Sequence, residues 1–91
     1  MFRVSVVCEG IAQADWPAAV SDVKHEFASR PWHQVLDCRW EGVMLVLVAD
    51  NDFDLDGEAL ADEFSDTVAA CAPGTPAYRV SIQSVVVLNS A

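Results

Sequence analysis

Asp52, Asp54 and Asp56 alternate along the chain, Gly57 follows, and Glu63 stands eleven residues after Asp52. That spacing lets one short loop present several oxygens to a hard divalent cation, which takes about six to eight of them. Asp52, Asp54 and Asp56 would give carboxylates, Glu58 its carbonyl and Glu63 a bidentate carboxylate, so Ca2+ is the ion the pattern suits. The same residues also suit a plainer role. Asp54 or Asp56 caps a helix, Glu58 lies in its first turn beside the positive end of the dipole, and Leu55 packs against Leu60. Gly57 separates the two, because a cation loop turns sharply there whereas capping makes it helical. Acidic helix starts after strands are common and cation loops after strands are rare, so capping is the preferred expectation and Ca2+ binding the alternative.

In its spacing the run resembles the calcium loop of EF-hand proteins, and over residues 52–63 the resemblance implies Ca2+ as the ligand. An EF-hand loop follows a helix, however, and residues 43–49 read as a strand. Other residues able to do chemistry are isolated. His25 lies off an apolar helical stripe, and His33 sits on the side of an alternating segment opposite Trp32, so both read as exposed surface histidines. Cys8, Cys38 and Cys71 are odd in number and far apart, which points to reduced and mostly buried thiols. Ser5, Ser81 and Ser84 have no neighbouring base or glycine-flanked elbow, and the four glycines form no phosphate cradle. Trp16, Trp32 and Trp40 fall where core and rim residues belong. No catalytic residue is nominated, and no cofactor is expected apart from the Ca2+ alternative.

The elements that must position these residues follow from periodicity. Residues 1–9 alternate, with Phe2, Val4, Val6 and Cys8 on one side, as in a half-buried strand. Asp15 offers an N-cap carboxylate and Pro17 a first-turn proline to a helix whose apolar stripe is Trp16, Val20, Val23 and Phe27. Pro31 closes it, and residues 32–40 alternate again. Glu41-Gly42 turns the chain into an apolar run, residues 43–49, that suits a central strand. Leu60, Phe64, Val68 and Cys71 mark a second helix, Pro73, Gly74 and Pro76 stop it, and residues 77–89 form a last strand. The order βαββαβ over a single domain of 91 residues predicts an α+β ferredoxin-like two-layer sandwich, with both helices on one sheet face and the second and fourth strands outermost.

Composition narrows the function. Fourteen Asp and Glu against five Lys and Arg give a net charge of −9, which repels phosphate backbones and argues against direct nucleic-acid binding. No apolar run is long enough to span a membrane and the N-terminus does not read as a secretory signal, so a cytoplasmic protein is expected. Alternation leaves Val7, Val35, Met44, Val46, Val48, Val85 and Val87 on the sheet face that the helices do not cover. A contiguous apolar patch of that kind usually marks association. A bulge in the valine-rich last strand would change which residues point outward. The expectation is therefore a non-catalytic interaction or regulatory module that forms a homodimer, or binds a protein partner, through its open face. A small-ligand-binding or enzymatic α+β dimer is the alternative.

Asp15-Trp16-Pro17, followed by Ala18-Ala19, is similar to the Asp-x-Pro step that leads into the first helix of ACT-type regulatory domains, which implies a regulatory role. Acylphosphatases share the length and element order, but residues 9–14 carry no arginine to bind an acyl phosphate. Dimeric α+β-barrel proteins associate through their sheet faces, which suits the apolar patch by analogy of fold.

Overall fold

Alternation of Phe2, Val4, Val6 and Cys8 with Arg3, Ser5, Val7 and Glu9 gives β1 (Phe2–Glu9), the strand around which the rest is arranged. The computed structural model describes residues 1–72, 75 and 77–88. After β1 come a 3-10 turn (Gln13–Asp15), α1 (Trp16–Phe27), β2 (Gln34–Glu41), β3 (Met44–Asn51), α2 (Glu58–Cys71) and β4 (Arg79–Val87). The strands form one antiparallel sheet in the order β2-β3-β1-β4, so β1 and β3 are central. This is an α+β ferredoxin-like sandwich. Its core joins Val4, Val6, Cys8, Leu45 and Leu47 of the sheet to Val23, Phe27, Leu60, Phe64 and Val68 of the helices. No helix among the described residues is long and apolar enough to cross a membrane. Pro73, Gly74, Pro76 and Asn89, expected at element ends, lie outside the described residues.

Two bulges change the faces that period-two counting assigns. Directly opposed residues of an antiparallel ladder share a face. In β4 the pairs are Ser5 with Ser84 and Val6 with Ile82, which leaves Gln83 as an extra residue. Val85 therefore lies opposite Val4 and Val87 opposite Phe2, on the helix side, and Val85 packs on the core. In β2 the extra residue is Leu36, and Val35 lies opposite the buried Ala49, again on the helix side. The expectation that Val35, Val85 and Val87 face outward is corrected accordingly. Val7, Met44, Val46 and Val48 do occupy the open face.

The helix starts and turns differ in detail. Asp15 has helical dihedrals at the end of the 3-10 turn, so its side chain makes no capping bond and instead accepts from the Thr75 hydroxyl at 3.4 Å. Gly42 takes φ +60°, the backbone a two-residue hairpin turn needs at its first position, and so Val43 stands exposed at the turn and not against the helices.

Candidate functional site

The acidic run is built from the end of β3. Asn51 Oδ1 accepts the backbone N–H of Phe53 at 3.2 Å and of Asp54 at 2.8 Å, an Asx turn that directs Asp54 inward. The buried Asp54 carboxylate then accepts from Ala59 N at 3.0 Å and Leu60 N at 2.9 Å, while Asp56 Oδ1 accepts from Glu58 N at 3.0 Å. Three of the four N–H groups that a helix leaves unpaired at its start are thus satisfied by carboxylates. Gly57 nevertheless turns sharply, with φ +81°. A Cβ there would meet Ile82 at 3.0 Å, Val85 at 3.1 Å and Val4 at 3.3 Å, so glycine is needed for dihedral and for space. Sharp turn and carboxylate cap coexist because Asp54 reaches past Gly57 to the second and third helical residues. Leu55 is 70% exposed and does not pack on Leu60.

The five residues of the calcium pattern are therefore dispersed. Asp52 is exposed, Asp54 and Asp56 hold backbone amides, Glu58 opens α2, and Glu63 faces another partner set. Among the described residues no three His, Cys, Asp or Glu side chains converge as metal ligands.

Glu63 belongs to a cluster that no local pattern announces. His33, expected on the surface, is 3% exposed, whereas its neighbour Trp32 is 51% exposed, because β2 begins only at Gln34 and both precede the alternating segment. His33 Nε2 is hydrogen-bonded to Glu63 Oε2, and Asn51 Nδ2 lies 3.2 Å from His33 Nδ1. Since Asn51 Oδ1 is held by two backbone N–H groups, its Nδ2 must donate, which makes His33 Nδ1 the acceptor and puts the ring hydrogen on Nε2. Glu63 Oε1 also accepts from Trp32 Nε1 at 3.1 Å and pairs with Arg30 Nε at 3.5 Å. Phe27 and Phe53 pack on the imidazole at 5.9 and 5.6 Å between centroids. Both ring nitrogens are occupied and the side chain is enclosed, so the cluster clasps the loop before β2 to the end of β3 and to α2. Sequence separations of 18 and 30 residues hide it from any motif.

The open face carries most of the remaining pattern. Val46 is 0% exposed although no helix covers it, since the ladder sets it between Val7 and Arg39. Arginines lie among acids on the same face: Arg3 grips Asp50 through two bonds of 2.9 and 3.0 Å, Arg39 reaches Asp37 at 2.6 Å and Glu41 at 3.6 Å, and Arg79 reaches Glu9 at 3.7 Å. Both Arg3 and Arg39 have their pKa raised by these carboxylate hydrogen bonds. Val86, also on this face, is half-exposed. All three cysteines are free, and burial pushes the thiols of Cys8 and Cys38 up to about 11. Compared with known proteins, the chain matches no family model, and no curated protein matches it either.

Proposed function

We propose that this chain is a non-catalytic module that associates with a second copy of itself through the open face of its sheet. The observation that carries the reading is how charge is divided. Arg3, Arg39 and Arg79 stand on the open face against Glu9, Asp37, Glu41 and Asp50, so that face is close to neutral. Lys24 and Arg30 are left to oppose the ten other acids, all on the helices and the loop before α2. Two copies of a protein with net charge −9 repel each other in most orientations, and facing sheets are the approach with least repulsion. Val86, Met44 and Val48 add apolar surface that such contact would remove from water.

A structural role for the buried polar groups supports the non-catalytic part of the reading, since His33, Asn51 and Asp54 are committed to one another and to backbone amides. Free cysteines fit a reducing compartment such as the cytoplasm. Light scattering coupled to size-exclusion chromatography tests the proposal. The expected result is a dimer that Met44→Asp and Val86→Asp convert to a monomer that still unfolds cooperatively, with a melting temperature that no longer depends on protein concentration. A wild-type monomer at millimolar concentration would overturn it.

A further inference from the structure

We infer that the edge of β4 beside α2 is a docking groove for an extended basic peptide, which adds to the sheet as a fifth strand. The site is separate from the open face and stands or falls independently of self-association.

Among the described residues β4 is an edge strand paired only with β1, so along one side its backbone N–H and C=O groups have no strand partner there. A groove of about 430 Å³ runs along the first part of that strand. Val80, Ser81 and Ile82 form one wall, and Glu58, Ala61 and Asp62 of α2 form the other. Val80 and Ile82 lie on the helix side of the sheet, opposite Cys8 and Val6, yet they remain partly exposed, unlike those fully buried partners. That leaves an apolar floor under the groove. One end is closed by Tyr78, whose hydroxyl donates to the Ser65 carbonyl at 2.9 Å. At the other end the Gln83 bulge breaks the strand's regular edge, so the pairing segment is Arg79 to Ile82.

Strand addition supplies affinity through main-chain hydrogen bonds, and the flanking helix selects the side chains that point toward it. Here that helix presents carboxylates. Glu58 and Asp62 are exposed, and neither takes part in an ion pair among the described residues. Arg79, the groove's cation, is drawn to Glu9 on the opposite sheet face. Alternate residues of an added strand face the helix layer. The fitting occupant is therefore a segment of four or so residues with Lys or Arg at every second position and small apolar residues between.

The test uses a fluorescein-labelled, C-terminally amidated peptide, Lys-Val-Lys-Val-Lys, followed by anisotropy and by amide shifts of the isotope-labelled protein. Binding should shift the amides of the Arg79–Ile82 segment most. A peptide of the same sequence carrying N-methyl groups on the two valines, and one carrying them on the three lysines, should differ by at least tenfold, because only one set of N–H groups faces β4. Asp62→Lys should weaken the unmodified peptide at least fivefold. Equal binding of both N-methylated peptides would show attraction by charge alone and overturn the proposal. So would shifts centred on another part of the protein, or no binding at millimolar peptide. The comparison of the two N-methylated peptides needs only wild-type protein, so it decides the matter even where Asp62→Lys fails to fold.

Discussion

Asp54 does the work of a helix cap from outside the helix, with each carboxylate oxygen taking one backbone N–H. Removing it strands one buried and one partly buried donor, so Asp54→Ala should cost about 2–3 kcal/mol in urea unfolding. Asp52→Ala, at an exposed position, should change stability by less than about 0.5 kcal/mol. Millimolar Ca2+ should leave the melting temperature of the wild type unchanged, because Asp54, Asp56 and Glu63, three of the four carboxylates that the calcium spacing would use, already hold backbone or side-chain donors; a Ca2+-dependent rise abolished by Asp54→Ala would contradict this. The sequence made the cap legible, since an aspartate shortly before a helical stripe is a local signal. The His33 cluster was not legible, for its three members come from a loop, the end of β3 and α2, and the imidazole is buried only when they meet. A second residue-scale outcome concerns alkali. Burial raises Cys8 and Cys38 from the ordinary value of 9.0 to about 11. Above pH 9 the unfolded chain loses thiol protons that the native state keeps, so stability present in full below pH 9 drains away up to about pH 11. Urea midpoints measured across that range should fall more steeply for the wild type than for a Cys8→Ala, Cys38→Ala variant, which starts lower because of the volume it lacks.

At the level of elements, the order of strands and helices could be read from the chain because each element keeps its own period over at least two turns or three alternations. Faces could be read only where that period is unbroken. β1 and β3 are regular, and Val7, Met44, Val46 and Val48 lie where alternation puts them. β2 and β4 each hold one extra residue, and a bulge inverts every assignment beyond it. Nothing in Ser84-Val85-Val86-Val87 distinguishes inward from outward, since three of the four are valine. The Gln83 bulge is what allows Ile82 and Val85, three apart, both to meet the helix layer, where they crowd Gly57. Paired substitutions check this directly. Val85→Asp places a charge beside the fully buried Val4 and should cost about 3 kcal/mol or more, enough to unfold a marginal domain. Val86→Asp, one residue on, should cost less than about 1 kcal/mol. Equal losses at the two positions in thermal melts would mean that β4 is registered without the bulge.

Across the whole molecule, charge is sorted by layer: a near-neutral sheet face backs a helix layer that holds ten of the fourteen acids. That division gives the two proposed surfaces opposite responses to salt. On the open face each arginine is already satisfied by acids of its own chain, so contact between copies gains little new ion pairing and works against the long-range repulsion of two −9 molecules. Screening removes the repulsion and leaves the apolar contact. Raising NaCl from about 20 to about 500 mM shortens the Debye length from about 20 to about 4 Å, and the dimer dissociation constant should fall several-fold in sedimentation equilibrium. Peptide docking beside α2 draws on the unpaired Glu58 and Asp62 and on the acidic surroundings, so the same salt series should weaken it. A single preparation measured by sedimentation and by anisotropy therefore gives two slopes of opposite sign. Self-association that weakens with salt would mean that arginines and acids exchange partners between copies, and the neutral face would then act by pairing charges, not by avoiding their repulsion.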